Sequence, residues 1–545
     1  MTTAAPFDWA NPYPSTRLPV FARNLVATSQ PLAAQAGLRM LLQGGNAIDA
    51  AIAAAAALTI VEPVSCGLGS DAFAIVWHGG QLHGLNASGH SPEGWSPAYF
   101  EDKYRLSEGG RRPVRGWDTV TVPGAIAGWS ALHQRFGKLA FDNLMEPAIE
   151  LAERGYGVSN VVAHKWAKAI PDLKDQPGFA EAFMPRGRAP ATGEMFSFPD
   201  AAQTLRTLAR NGARSFYEGE IAEKIAAYAT TCGAALHLED LRAYQPEWVT
   251  PLAQGYRGHQ LHEIPPNGQG IAALIALGIL EHFDLAALPV DSVDYQHVQI
   301  EAMKLAFADV YRYVADPRSM EVTPQQMLDP AYLKARAGTI RMDRASQVEA
   351  GMPATGGTVY LTTADQDGCM VSFIQSNFMG FGSGVVVPGT GISLQNRGVG
   401  FSMDRRSANV VGPRKKPFQT IIPAFLTRDG QPVMSFGVMG GDMQPQGHVQ
   451  TTVRMLDHGQ NPQAACDAPR WKVNKDYTLD VESVMNPQTI EGLVARGHTL
   501  KSVDDPYMDF GAGQFIWKTG GSEGDGSAQY VAASDPRRDG QAAGF

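Results

Sequence analysis

Hydrophobic and polar positions follow one rhythm in the first half of this chain and another in the second. In the first half, helical spacing alternates with short strand-like runs. Pro31 to Leu42 predicts a helix with proline near its first turn and Gly44-Gly45 at its end. Asn46 to Val61 predicts a second helix, stopped by Pro63. Its apolar part, Ala50 to Val61, is about 12 residues against the ~20 that a spanning helix needs, and Asp49 and Glu62 flank it. A buried helix is expected there. Gly67 to Ser70 predicts a loop, Asp71 to Trp77 a strand, Gly79-Gly80 a turn and His83 to Ala87 a partner strand. Residues 101–118 are charged and predict exposed loop. Further helices are expected at 140–154, 198–212, 219–231, 270–283 and 292–315.

The second half reads as β-rich. Strands are expected at 358–364, 370–376, 384–388, 392–395, 420–427 and 432–438, with a helix at 447–458. Residues 338–357 carry few large apolar side chains and predict a linker or processing segment. Helices segregated around antiparallel strands predict a layered α+β architecture. No internal repeat is visible.

Composition narrows the function classes. The chain has 545 residues, 44% hydrophobic and 18% charged, which suits a large buried core and argues against disorder. A net charge of −9 without a long basic run argues against nucleic acid and anionic membrane as partners. Cys66, Cys232, Cys369 and Cys466 are far apart, with no CxxC, which fits a reducing compartment rather than a disulfide framework or zinc site. No Sec-type signal peptide or spanning segment is read, so the expected location is cytoplasmic. None of the 13 histidines shows metal-ligand spacing, and no metal or other cofactor is expected. His448 reads as a capping or core residue. GxSxG is absent, and Gly380 to Gly384, GFGSG, leads into Val385-Val386-Val387-Pro388 rather than a dinucleotide-binding helix.

Two stretches carry candidate chemistry. At Gly356-Gly357-Thr358 a strand begins on threonine directly after two glycines. Cleavage of the Gly357–Thr358 bond would give Thr358 a free α-amine beside its own hydroxyl, base and nucleophile in one residue. From this stretch alone, one strand threonine among many is the favoured reading. At Val433 to Asp442 an apolar strand runs into Met439-Gly440-Gly441-Asp442, and Pro445 opens a helix. Two glycines between strand and helix can present successive N–H groups to an oxyanion, and an ordinary glycine turn fits equally well.

Together these stretches resemble the γ-glutamyltransferase family of N-terminal nucleophile hydrolases. The blocks GGNAIDAAIAAAAALTIVEPVSCGLGSDAF (44–73), TVPGAIAGWSALHQRFGKL (121–139), EPAIELAERGYGV (146–158), GARSFYEGEIAEKIA (212–226), PPNGQG (265–270) and ASDPRRDGQAAGF (533–545) are similar to family blocks, in register. The resemblance implies a four-layer αββα fold and self-cleavage into 1–357 and 358–545, which stay together as a heterodimer; pairing of two heterodimers is left open. It implies Thr358 as nucleophile, its freed amine as base, Ser376 as the residue that orients it, and Gly440 and Gly441 as the oxyanion hole.

The glutamate-binding positions depart from the family. Ser88 stands where the transferases have the arginine for the α-carboxylate. Arg397 and Gly400 stand in place of the glutamine and aspartate that hold the α-amine, and Gln419-Thr420 replace a pair of serines. Asn377, beside Ser376, completes the expected substrate-binding set. An ammonium buried beside a guanidinium is costly, so an acyl group bearing a carboxylate or dicarbonyl and no α-amine is expected. The stretch 401–417 reads shorter than in relatives with a lid, which favours water as acceptor. The reading is a self-processing amidohydrolase or acyltransferase acting on a small amide. A true γ-glutamyltransferase or glutathione hydrolase and an uncleaved binding protein are the alternatives.

Overall fold

A computed structural model describes residues 15–346, 357–504 and 510–545. Two seven-stranded antiparallel sheets face each other. The first runs Val20–Ala22, Gln529–Ser534, Ala512–Gly520, Gln431–Met439, Ala424–Arg428, His259–Glu263, Leu252–Tyr256. The second runs Gln541–Gly544, Leu25–Thr28, Gly357–Ala364, Met370–Phe378, Asp71–His78, Gln81–Ala87, Glu247–Val249. Phe73, Ile75, Tyr360, Ile374, Phe425, Ile516 and Tyr530 fill the space between them. Helices Pro31–Leu42, Ala47–Val61, Ala125–Phe136 and Phe141–Arg154 pack in the core on the outer side of the second sheet. Ile271–Leu280, Val293–Tyr313 and Met443–His458 do the same for the first. The result is the four-layer αββα sandwich of N-terminal nucleophile hydrolases, and both sheets mix strands from before and after Thr358.

The alanine-rich helix shows how sequence becomes a layer. Every residue of Ala47–Val61 is buried, because small side chains let it lie against the strands Gly357–Ala364 and Met370–Phe378 on one side and other helices on the other. Asn46 caps it by accepting from Ile48 N and Asp49 N, both at 3.0 Å, while Asp49 accepts from Asn46 N. Thr363 Oγ1 donates to Ala47 O at 2.7 Å, and Ala47 N donates to Asp365 Oδ2 at 2.8 Å. The start of the helix is thereby tied to the strand that begins at Gly357. The sheets also approach closely here: a Cβ on Gly437 would lie 2.5 Å from the Tyr360 ring.

Several expectations are corrected. The stretch 101–118 is not all exposed loop. It holds the end of helix Pro97–Tyr104 and a short turn of helix, Leu106–Glu108, and Trp117, Asp118 and Thr119 are buried, with Asp118 accepting from Tyr99 and Tyr104. The helix expected from 447 begins at Met443, since Pro445 falls in a first turn where its missing N–H costs nothing. Strands expected at 384–388 and 392–395 shrink to Val386–Val387 and Ile392–Ser393. Sheet-edge strands such as Leu252–Tyr256 and Gln541–Gly544, half-buried and poor in β-branched residues, were not legible. Residues 347–356 of the expected linker lie outside the described residues. Among the described residues no helix is long and apolar enough to cross a membrane.

Candidate active site

Thr358 lies near the start of Gly357–Ala364, the third strand of the second sheet, 2% exposed. Pairing with Met370–Phe378 shifts register between Gly357 and Val359, so Thr358 sits at an irregularity of the kind that re-aims a side chain. Its Oγ1 donates to Ser376 Oγ at 3.2 Å. Ser376 Oγ in turn accepts from Phe378 N at 2.7 Å, and Phe378 adopts a left-handed φ of 76°. A second group also reaches the hydroxyl: Gln444 Nε2 lies 3.4 Å from Thr358 Oγ1.

Gln444 brings the glycine turn with it. Gly440 has φ 127° and Gly441 φ 62°, both in the region that side chains avoid. A Cβ on Gly440 would also lie 2.9 Å from Gly511 Cα. Gln269 Nε2 donates to Gly441 O at 2.9 Å and to Thr420 O at 2.8 Å, fixing the turn to the neighbouring loop.

The predicted binding positions surround this centre unequally. Arg397 is 1% exposed; its Nη1 donates to Thr420 Oγ1 at 2.6 Å, and its guanidinium lies 4.7 Å from the Phe378 ring centroid. Its Nε and Nη2 are buried with no hydrogen-bond partner among the described residues. Burial pulls its pKa down to about 9, opposed by the charge of Asp71. Asp71 is pushed up to about 6 by burial, opposed by Arg397 and by hydrogen bonds from Gly89 N, Gly124 N and Gln419 Nε2. At neutral pH the two carry opposite charges. Gln419 spends its amide N–H on Asp71, and its Oε1 is buried without a partner among the described residues.

Ser88 donates to Asn86 Oδ1 at 2.7 Å and is held in a small amide cluster with Asn267. Asn377 accepts from Ser70 Oγ at 2.8 Å and donates to Ser393 Oγ at 3.1 Å. Its side chain bridges Ser70 and Ser393, and its amide is committed to them. Gly400 ends the short helical turn Arg397–Gly400, where a Cβ would lie 2.7 Å from Phe418 O.

Asp71, Gln269 and Gln444 were not singled out in the sequence. Asp71 opens a strand and Gln269 lies in a glycine-rich loop, each inside a block similar to the family's but with no role read for it there. Gln444 stands three residues after Gly441, the one available signal. His448 is fully buried within helix Met443–His458; its Nδ1 lies 2.6 Å from Glu263 Oε1 and its Nε2 accepts from Val438 N. It is a core residue rather than a cap.

One unforeseen cluster lies elsewhere. His297, Glu301 and His498 place potential ligand atoms within 4.8 Å of one another. Lys304 donates to Glu301 Oε1 and to His498 Nδ1. An ammonium only donates, so His498 carries its proton on Nε2, facing His297 Nδ1 at 2.8 Å, and His297 Nε2 donates to Arg341 O. With each ring nitrogen committed, the cluster docks residues 341–346, with Ser346 N on Glu301 Oε2, and leaves no imidazole lone pair for a metal.

The γ-glutamyltranspeptidase family model matches residues 33–545. The chain belongs to the γ-glutamyltranspeptidase family. It is 35% identical over 536 residues to a glutathione hydrolase-like proenzyme of Bacillus subtilis, covering 96% of this chain and 98% of that protein. It is also 35% identical to an oxamate amidohydrolase proenzyme of Klebsiella pneumoniae, covering 96% and 99%. A crystal structure of cephalosporin acylase from Bacillus halodurans superposes with a TM-score of 0.93 at 46% identity, covering 99% of each chain. These γ-glutamyltranspeptidase relatives are enzymes, and amidohydrolases and acylases stand among them beside glutathione hydrolases.

Proposed function

We propose that this chain is a self-processing amidohydrolase or acyltransferase with Thr358 as its nucleophile. The observation that carries the reading is the Thr358 hydroxyl, buried and hydrogen-bonded to Ser376 and Gln444 beside the Gly440-Gly441 turn. In the precursor, Oγ1 attacks the Gly357 carbonyl, the acyl group shifts from nitrogen to oxygen, and water opens the ester. This leaves 1–357 and 358–545 as a heterodimer. The freed α-amine then takes the Oγ1 proton as Oγ1 attacks a substrate amide. Gly440 and Gly441 N–H groups hold the oxyanion, worth about 3–4 kcal/mol for a donor of this kind. The amine returns the proton to the leaving nitrogen, and water hydrolyses the ester.

The acyl group is one bearing a carboxylate or dicarbonyl without an α-amine. Supporting this is Arg397, whose Nε and Nη2 are buried without partners among the described residues. Relatives named oxamate amidohydrolase and cephalosporin acylase favour the same class. Hydrolysis is favoured over transfer, and a cytoplasmic location fits four free cysteines. Ordinary glutathione hydrolysis is the second reading, favoured by the glutathione hydrolase-like relative.

The test is a denaturing gel of purified protein followed by kcat/KM on glutathione, γ-glutamyl-p-nitroanilide, oxamate and a glutaryl amide. Two fragments, the smaller beginning at Thr358, and preference for oxamate or the glutaryl amide are expected. An intact active chain overturns the mechanism, and efficient glutathione turnover with little else overturns the substrate class.

A further inference from the structure

We propose that Gln444 is a catalytic residue that donates its amide N–H to Oγ1 of Thr358 and stabilises that oxygen as it leaves the acyl ester. The inference rests on Thr358 being the nucleophile. Gln444 is fully buried in the first turn of helix Met443–His458. Its amide has one possible orientation. Ile422 N, which can only donate, lies 2.9 Å from Gln444 Oε1. The NH₂ end therefore faces Thr358 Oγ1, at 3.4 Å. The Thr358 hydroxyl proton is directed to Ser376 Oγ, so a lone pair of Oγ1 is what meets the Gln444 donor. Catalytic hydrogen bonds are often long before substrate binds and shorten as charge develops.

A donor on the nucleophile's oxygen acts unequally on the two halves of the reaction. When Oγ1 attacks, it gives up electron density to the carbonyl carbon, and a hydrogen bond to it gains nothing. When water adds to the ester, a proton passes to the Thr358 α-amine, the tetrahedral intermediate collapses, and the C–Oγ1 bond breaks. The bonding pair returns to Oγ1, which then takes the proton from the α-ammonium. Negative charge on Oγ1 is greatest at that bond-breaking step, where a preorganised donor is worth most. Self-cleavage ends in the same way: the ester joining the Gly357 carbonyl to Oγ1 is opened by water. One amide thus serves both maturation and turnover.

Two substitutions test this. Gln444→Met keeps the length and removes the donor. Gln444→Glu keeps the acceptor for Ile422 N and supplies a donor only when the introduced carboxyl is protonated. Self-cleavage of freshly made precursor is one readout, and it needs no added substrate. Hydrolysis of glutaryl-p-nitroanilide or γ-glutamyl-p-nitroanilide by processed enzyme is the other. For Gln444→Met, self-cleavage and kcat should fall at least tenfold at every pH, and KM should fall with kcat, since slower ester breakdown lets the acyl-enzyme accumulate and leaves kcat/KM little changed. The Gln444→Glu deficit should be large at pH 8 and shrink several-fold towards pH 5. Rates for Gln444→Met within twofold of the wild type would overturn the proposal. So would a Gln444→Glu deficit that is constant with pH and equal to that of Gln444→Met, which marks a packing role. If wild-type precursor never cleaves, or Thr358→Ala still does, the nucleophile assignment itself has failed. If Thr358→Ala is inert while both Gln444 variants match the wild type, only the role of Gln444 falls.

Discussion

Ser376 and Arg397 show how single side chains at this centre can be tested. Ser376→Ala removes the acceptor for Thr358 Oγ1 and strips the buried Phe378 N–H of its partner. Steady-state kinetics should show kcat falling by about 1 kcal/mol of barrier, several-fold, with a smaller change in KM. Thermal melting should show a lower midpoint, and Ser376→Thr should restore most of both. Arg397→Ala alone is a poor probe of substrate binding, because it leaves Asp71 buried without the cation that opposes its burial. The pair Asp71→Asn with Arg397→Met removes both charges together. Compared with Asp71→Asn alone, it should lose roughly 10- to 150-fold in kcat/KM on carboxylate-bearing substrates, about 1.5–3 kcal/mol, and little on neutral amides. Equal losses on both would assign Arg397 to scaffolding. Thr358, Ser376, Arg397 and Thr420 could be picked from the sequence because they fall at positions of family motifs. Asp71 lies in such a block too, but its part could not be read there, since the charge it balances lies 326 positions away and meets it only in the fold.

Elements decide whether those side chains meet. The Gly440-Gly441 turn joins strand Gln431–Met439 to helix Met443–His458, and the neighbouring backbone leaves no room for a Cβ on Gly440. Gly440→Ala should cost about 1–3 kcal/mol of strain and abolish most activity; a urea melt and a rate assay check the two parts separately. The helix Val293–Tyr313 offers a pH prediction. Burial, with the nearby charge of Lys304, lowers His498 from 6.5 to about 3. The unfolded chain therefore binds more protons between those values, and stability from this site is lost as pH falls through that window. The slope is up to about 1.4 kcal/mol per pH unit. Urea midpoints at pH 7 and 5 should drop for the wild type and drop less for His498→Gln. Helix Ala47–Val61 was legible nearly to the residue, because its apolar run and Asn46 cap are local signals. The edge strands were not, since their pairing is set by neighbours far away in the chain.

At the scale of the whole molecule, the two seven-stranded sheets each draw strands from both sides of Thr358. The strand beginning at Gly357 lies between Leu25–Thr28 and Met370–Phe378. A cut at Gly357–Thr358 therefore cannot release two compact bodies without tearing both sheets. Size-exclusion chromatography of cleaved protein should give one peak containing both fragments, separable only in denaturant. Separation in native buffer would contradict the shared core.

The sequence by itself determined the family, the α+β class, most of the long helices and the position of the candidate nucleophile, while helices Ala125–Phe136 and Asn160–Leu173 went unread. These rest on short-range patterns: apolar periodicity, caps, glycine turns and blocks in register. Only the tertiary structure decided which groups surround the Thr358 hydroxyl. Gln444 reaches it from a helix 86 positions later, and Asp71 balances Arg397 from the start of a distant strand. A hydrogen bond or a buried charge pair depends on distances of a few ångströms between remote segments, and those distances exist only once both sheets have closed on their common core.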